Sequence, residues 1–157
     1  MGHMKGISHV AYTVRDFEKS VDFYCSVLEF EKAFEIKVDE GLKEMVPDHP
    51  ALAYMGKAVI AYLKAPNGDF IELFRPLPNV DLTGGGPNYD GMGYSHLSLV
   101  VDNLKEFAEV LQSKGVTLDS DISKGPDNTY TLWIKDPDGN RIELMEYTKE
   151  SWQVIYG

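Results

Sequence analysis

The sequence predicts an α+β fold built from two similar modules in tandem. Each half begins with a strand that carries a Ser-His pair, and the two histidines are His9 and His96. Each half closes with a strand that carries an Ile-Glu-Leu triplet after a tight turn, and the two acids are Glu72 and Glu143. A capped helix and further strands lie between these markers in the same order. Such self-similarity indicates a repeated architecture.

The first half is predicted to contain one helix among several strands. Alternating residues predict a strand at residues 5–14, and Asp16 can cap a helix at residues 17–28. The inner face of that helix carries apolar residues at helical spacing, namely Phe17, Val21, Tyr24 and Leu28. The remaining segments are a strand at residues 30–38, a loop with room for a helical turn at 39–50, one or two strands within 51–65, a Pro-Asn-Gly turn at 66–68 and a strand at 70–74.

The second half repeats this order over fewer residues. A strand is predicted at residues 93–101, and Asp102 or Asn103 can cap the helix that follows. That helix is expected to end at Gly115, because a glycine readily adopts the left-handed backbone conformation that often ends a helix. Further strands are predicted at residues 116–118, 130–135 and 140–147, with a Pro-Asp-Gly turn at 137–139.

These signals also divide the chain into segments. The predicted segments are a Met-Gly-His-Met remnant of cloning at residues 1–4, a first module at 5–79, a linker rich in glycine and proline at 80–93, a second module at 94–148 and a C-terminal tail at 149–157. Trp152 and Tyr156 are expected to anchor the tail by packing. The first module is the longer one, and its extra residues fall between Asp39 and Ala58.

Composition narrows the class of partner. The chain has 25 acidic and 15 basic residues and a formal net charge of −10, which disfavours nucleic acid and anionic membranes as partners. The first residues lack the basic-then-apolar pattern of a leader and no run of 18 apolar residues occurs, so we expect neither a leader nor a membrane-spanning helix. The single cysteine, Cys25, excludes an internal disulfide and fits a reducing compartment. We therefore expect a cytoplasmic protein that acts on a small molecule.

The repeated His and Glu residues predict a metal site. Any one of them alone would be an ordinary strand residue, but an acid within an apolar strand is costly to bury unless a cation satisfies it. Two neutral imidazoles and two carboxylates suit a divalent first-row metal with open positions for substrate. Structural zinc would favour thiolates, and calcium would favour more oxygens. The predicted ligands are His9, Glu72, His96 and Glu143, and they do not distinguish Ni, Co, Zn, Mn and Fe.

The chain resembles the vicinal oxygen chelate superfamily over residues 5–148. The resemblance rests on the helix end FYCSVLEF and on four motifs: SHVAYTV with His9, NGDFIELF with Glu72, SHLSLVVDN with His96 and DPDGNRIELME with Glu143. It implies two βαβββ modules that pair to form a metal-binding half-barrel cleft. Within the superfamily, the His-Glu-His-Glu set is similar to that of glyoxalase I.

That similarity implies a metal-dependent lyase or isomerase of methylglyoxal detoxification. Such an enzyme converts the hemithioacetal of a 2-oxoaldehyde into a 2-hydroxy thioester by a 1,2 proton shift through a metal-bound enediolate. The resemblance implies that Glu143 is the base and Glu72 its counterpart, although Glu143 can also be only a ligand. It further implies a homodimer, with each site formed within one chain or across the dimer interface.

The resemblance also implies a thiol co-substrate, which is glutathione or another thiol. Enzymes of this kind usually carry an Arg four residues after the first His, and here that position is Thr13. Four other basic residues could replace this Arg, and they are Arg15, Arg75, Lys135 and Arg141.

Two alternative functions stay open. One is an epimerase of a 2-substituted acyl-CoA, similar to methylmalonyl-CoA epimerases, which commonly carry an amide where Glu72 stands. The other is a metal-free binding or resistance protein of the same fold.

Overall fold

Two units of the same βαβββ type make up the chain. The computed structural model describes residues 4–82 and 93–157. Within the whole chain the compact units are Met1–Gly84 and Gly85–Gly157. Each contains a four-stranded mixed sheet, so the predicted α+β fold with two repeated modules is confirmed.

The sheet of the first unit has the strand order β1-β4-β3-β2, with β1 parallel to β4 and the other pairs antiparallel. Its elements are β1 (His9–Thr13), α1 (Phe17–Asp22), β2 (Glu31–Lys37), α2 (Glu40–Met45), β3 (Ala58–Lys64) and β4 (Phe70–Phe74). The core is formed by the inner face of α1 and by alternate residues of the two central strands, which include Phe17, Ala61, Leu63, Ile71 and Leu73.

The sheet of the second unit has the equivalent order β5-β8-β7-β6, with β5 parallel to β8. Its elements are β5 (Leu97–Val100), α3 (Leu104–Ser113), β6 (Ser123–Lys124), β7 (Tyr130–Lys135), β8 (Arg141–Glu146) and α4 (Trp152–Tyr156). The core again lies under the helix, and it includes Leu104, Leu111, Leu132, Ile134, Ile142 and Leu144.

The first helix begins at the predicted residue with the predicted cap, but its second half is a π-helical turn and not an α-helix. Asp16 accepts a hydrogen bond from the backbone N–H of Lys19, and a π-helical turn at Phe23–Val27 follows α1. Glu29 then adopts a left-handed backbone with φ of 64°, which ends the helix. Cys25 lies on the π-helical turn and is half-buried, and burial raises the pKa of its thiol.

Both ends of α3 match the prediction. The side chain of Asn103 accepts a hydrogen bond from the N–H of Glu106. At the other end Gly115 has φ of 81°, and the N–H of Val116 donates to the carbonyl of Leu111. This is the hydrogen-bond pattern of a Schellman motif, in which glycine avoids the steric strain of the left-handed region.

One prediction in the first unit is wrong in detail. The first strand begins at His9 and not at residue 5, because its partner β4 spans only Phe70–Phe74 and pairs His9 with Phe70. Of the one or two strands expected within residues 51–65, one forms as β3, and a 3₁₀ helix occupies Pro50–Tyr54 before it. His49 caps that helix, with its Nδ1 accepting a hydrogen bond from the N–H of Ala51.

The predicted strand at residues 116–118 is absent, and the short β6 occurs later in the chain. The segment before β6 does approach β7, since the N–H of Asp119 donates to the carbonyl of Trp133. The N–H of Trp133, however, donates to the hydroxyl of Ser120. A side chain therefore replaces a backbone carbonyl, and no continuous ladder forms there.

The tail is anchored by polar contacts, and the prediction for Trp152 and Tyr156 is wrong. Those side chains are 53% and 81% exposed, whereas Ser151 is fully buried. The Ser151 hydroxyl accepts from the N–H of Thr148 at 2.8 Å and donates to the carbonyl of Asn128 at 3.0 Å.

Part of the predicted linker, residues 83–92, lies outside the described residues, and the module and linker boundaries stay predictions. No helix within residues 4–82 or 93–157 has the length and apolar character needed to cross a bilayer.

The turn between β7 and β8 is held by one buried carboxylate. Asp136 is 5% exposed, and its Oδ1 accepts hydrogen bonds from the N–H groups of Asp138 and Asn140, both at 2.9 Å. Gly139 has φ of 86°, which its lack of a side chain permits. The turn sets the pairing of β7 with β8, and that pairing decides which face each β8 residue occupies.

We expect Asp136→Ala to lower the free energy of unfolding by about 2–3 kcal/mol, because two half-buried N–H groups lose a charged acceptor. Urea unfolding monitored by circular dichroism measures the change. The control is Asp69→Ala in the corresponding turn of the first unit, where the side chain is exposed and the expected change is below about 0.5 kcal/mol. Equal effects of the two substitutions would contradict the role of Asp136.

Candidate functional site

A histidine and a glutamate meet in the first unit. His9 begins β1, and Glu72 lies in the middle of the adjacent parallel strand β4. The pairing aligns Glu72 with Ala11, two residues after the histidine, so the two side chains share a face of the sheet. His9 Nε2 lies 3.1 Å from Glu72 Oε2.

The second unit repeats this pair. His96 directly precedes β5, and Glu143 lies in β8, where its register partner is Ser98. That partner again follows the histidine by two residues. His96 Nε2 lies 3.4 Å from Glu143 Oε2. The two pairs therefore have the same construction, although each belongs to its own unit.

A serine contacts the second ring nitrogen of each histidine. Ser8 Oγ lies 3.2 Å from His9 Nδ1, and Ser95 Oγ lies 3.0 Å from His96 Nδ1. A hydrogen bond at one ring nitrogen selects which nitrogen carries the proton and turns the other toward a ligand. In both units Nδ1 contacts the serine, and Nε2 faces the carboxylate.

The donor atoms of each pair are spaced as ligands of one metal ion would be. Metal–nitrogen and metal–oxygen bonds of about 2.0–2.2 Å place two donors about 3.0 Å apart at a right angle and about 3.4 Å apart at the tetrahedral angle. The observed separations are 3.1 and 3.4 Å. The same separations allow an N–H···O hydrogen bond within each pair, which keeps the donors together without an ion.

Each unit brings together two of the four predicted ligands. Among residues 4–82, and likewise among residues 93–157, no cluster of three or more potential ligands from His, Cys, Asp and Glu forms. The four-residue set thus remains a prediction, whereas its two halves are present as pairs.

An aromatic ring covers each pair. Tyr62 of β3 is the register partner of Glu72, and Trp133 of β7 is the register partner of Glu143. The Tyr62 ring meets the His9 ring edge to face, with centroids 5.5 Å apart and an angle of 79°. The Trp133 ring meets His96 at 4.9 Å and 78°.

The predicted site residues include neither Tyr62 nor Trp133. The hairpin turns carry a signal that identifies both residues, because residues equally far from the centre of a hairpin lie across from each other. Counting equally outward from Asn67 leads to Tyr62 and Glu72, and counting from Asp138 leads to Trp133 and Glu143.

The basic residues that could replace the missing Arg occupy different surroundings. Arg75 forms a salt bridge with Glu18 of α1, on the helix side of the sheet, and Lys135 pairs with Asp119. Arg15 donates to the carbonyl of Leu82. Arg141 shares a face of β8 with Glu143, and its guanidinium carbon lies 4.1 Å from the centroid of the Trp133 ring.

An open cleft of about 600 Å³ lies elsewhere in the first unit, between the first helix and the β2–β3 edge. Phe17, Val21 and Cys25 line it from the helix side. Its charged residues include two mutual pairs, Glu18 with Arg75 and Lys32 with Glu35. Neither His9 nor Glu72 lines this cleft.

Proteins named lactoylglutathione lyase are similar in sequence to this chain over most of its length. A lactoylglutathione lyase of Escherichia coli O157:H7 is 30% identical over 142 residues, which are 88% of this chain and 90% of that protein. A lactoylglutathione lyase of Pseudomonas putida is 25% identical over 154 residues, which are 90% of this chain and 84% of that protein.

Solved structures share the fold. A member of the glyoxalase/bleomycin resistance protein/dioxygenase superfamily from Sphaerobacter thermophilus superposes with a TM-score of 0.63, at 26% identity over 92% of this chain and 98% of that one. The family model for the Glyoxalase/Bleomycin resistance protein/Dioxygenase superfamily matches residues 6–144. The chain therefore belongs to the glyoxalase/bleomycin resistance protein/dioxygenase superfamily.

Proposed function

We propose that the chain is a metal-dependent lyase or isomerase of glyoxalase I type. In this proposal His9, Glu72, His96 and Glu143 together hold one divalent metal ion. The observation that carries the proposal is the repeated His–Glu pair, whose donor atoms are 3.1 Å apart in one unit and 3.4 Å apart in the other. Relatives that are named lactoylglutathione lyase support the choice of reaction.

The burial of Glu72 favours a metal ligand over a simple structural acid. Glu72 is 7% exposed, and its neighbours along the strand, Ile71 and Leu73, are 3% and 0% exposed. A carboxylate in such surroundings is stable only with strong donors or a cation near it. With two neutral imidazoles and two carboxylates, the four side chains would neutralise a divalent ion without excess charge.

A divalent ion at these ligands would act as a Lewis acid toward two adjacent oxygens of the substrate. The protein's own part is to move a proton. A carboxylate beside the substrate takes the proton from the carbon that bears the hydroxyl and sulfur of the hemithioacetal. It then returns the proton to the neighbouring carbon, so that a hemithioacetal becomes a 2-hydroxy thioester with no net gain or loss of atoms.

Glu143 is the better base of the two acids. Its side chain is 16% exposed against 9% for Glu72, and it lies farther from its histidine. A carboxylate with more room can approach a substrate carbon, whereas Glu72 is more closely held. We therefore assign proton transfer to Glu143 and lasting metal ligation to Glu72.

Arg141 is our candidate for contacting an anionic group of the substrate. It projects from the same face of β8 as Glu143, and the Trp133 ring supports its guanidinium. Thr13 occupies the position at which an Arg was expected, so the thiol can differ from glutathione.

We expect the purified protein, supplied with Ni²⁺ or Zn²⁺, to isomerise the hemithioacetal of methylglyoxal and glutathione. Chelation by EDTA should abolish turnover, and added metal should restore it. Thioester formation followed by ultraviolet absorbance measures the reaction. Methylmalonyl-CoA is the comparison substrate, and turnover of it alone would replace the proposed reaction by epimerisation. Metal binding without turnover of either substrate would contradict both enzyme functions for these substrates.

We expect Glu143→Gln to lower kcat by about 10²–10⁴-fold, because an amide cannot accept the proton. Glu72→Gln is the matched control in the first unit, and it should mainly weaken metal binding and recover part of its activity at high metal concentration. Kinetics over a range of metal concentrations separates the two effects. A Glu143→Gln variant that keeps both its metal and its turnover would contradict the role of Glu143 as base.

A further inference from the structure

The cleft between the first helix and the β2–β3 edge contains an arginine held in a fixed position. Arg75 directly follows β4, and its side chain is 14% exposed. Its guanidinium carbon lies 4.5 Å from the centroid of the Phe17 ring and 5.4 Å from that of the Tyr54 ring. Its Nε donates to the carbonyl of Ala58 at 2.8 Å. These contacts fix the plane of the guanidinium and leave its two Nη atoms to bind an acceptor in the cleft.

The carboxylate of Glu18 on α1 is the acceptor in this structure. Nη1 of Arg75 donates to Glu18 Oε2 at 3.1 Å, and Nη2 donates to Glu18 Oε1. Two parallel hydrogen bonds of this kind are how an arginine recognises a carboxylate. The Glu18 side chain is 72% exposed. Because an exposed ion pair is weak, Glu18 can turn into water and leave both Nη atoms to the carboxylate of another molecule.

The rest of the cleft suits an anion that has an apolar part. Its apolar lining consists of Phe17, Val21, Cys25 and Ala58. Four basic side chains line it against three acidic ones, an excess opposite in sign to the net charge of −10 of the whole chain. Such a local excess of positive charge attracts anions. The volume of about 600 Å³ also lies within the range of about 300–1,000 Å³ that is usual for small-molecule sites.

Three departures of the first unit from the repeat meet at this cleft. The edge strand β2, which lines one side of it, has seven residues, whereas β6 has two. The first helix continues into a π-helical turn that places Cys25 in the lining, and such turns are frequent at functional sites. At the position equivalent to Arg75 the second unit has Glu146, which accepts a hydrogen bond from the N–H of Leu104. The repeated fold therefore does not require an arginine here.

We propose that this cleft is a second ligand site, which binds a small carboxylate with an apolar body. The carboxylate of the ligand replaces that of Glu18 on Arg75, and the apolar body lies against Phe17 and Val21. Lys37 and Lys57, which form no salt bridge with another described residue, attract the anion to the cleft. The site uses neither His–Glu pair, so the proposal goes beyond the proposed function and is tested separately from it.

The single cysteine of the chain, Cys25, reports on occupancy of the cleft. The probe is 2-naphthoate, and 2-naphthamide is the matched control because it has the same shape and no charge. Saturating 2-naphthoate should slow alkylation of Cys25 by N-ethylmaleimide by about fivefold or more, since the bound ring covers the thiol. The amide at the same concentration should slow it by less than about twofold, because it cannot form the charged pair with Arg75. Mass spectrometry of the intact protein measures both rates.

Variants of the ion pair test which groups hold the carboxylate. Glu18→Ala removes the competing carboxylate and should tighten binding of 2-naphthoate by about two- to fivefold. Arg75→Gln should weaken it by about tenfold or more. Lys105→Ala changes the equivalent first-turn residue of α3 in the second unit and should leave the affinity unchanged. Calorimetric titration measures the affinities, and thermal unfolding reports whether each variant is folded.

Three outcomes would overturn the proposal. Equal protection of Cys25 by the acid and the amide would remove the carboxylate from the recognition. No protection by millimolar 2-naphthoate would remove the site. A folded Glu18→Ala protein that binds 2-naphthoate no more tightly than the parent would show that Glu18 does not occupy the place of a ligand, and this result does not depend on whether Arg75→Gln folds. None of the three outcomes bears on metal binding by the His–Glu pairs.

Discussion

The structure of each unit depends on accommodating one carboxylate within an apolar sheet. Glu72 is nearly buried between two core residues of its strand, and Glu143 occupies the same position in the second unit. Each carboxylate has an imidazole beside it, and each imidazole has a serine at its other nitrogen. The surrounding strands bring these groups together although they are far apart in sequence, so the pairs are a product of the fold and not of local structure.

Parallel pairing and the hairpin turn together determine this arrangement. The parallel strand carries the histidine, and its register places the acid level with the second residue after it. The hairpin then sets an aromatic residue across from the acid. A shift of one residue in either pairing would turn the acid to the helix side of its sheet. This is why the Asp136 turn, remote from the histidine, matters to the position of Glu143.

Much of the fold and of the candidate site could be predicted, because the sequence repeats the same order of motifs in its two halves. The two histidines and two acids mark equivalent strands, and the caps at Asp16 and Asn103 are local signals. Features that depend on distant partners could not be predicted in the same way. The start of β1 depends on the length of β4, and the absence of a strand at residues 116–118 depends on the Ser120 hydroxyl. The contact of Tyr62 with His9 likewise requires three strands in register.

The central claim is that two separately formed pairs serve one metal ion. Calorimetric titration of Zn²⁺ into metal-free His9→Ala and His96→Ala tests it most directly, because each substitution removes a ligand from one unit only. The account predicts one ion per chain in the parent protein and binding weakened by about 100-fold or more in both variants. Two ions per chain in the parent, or one tight ion retained by either folded variant, would contradict it.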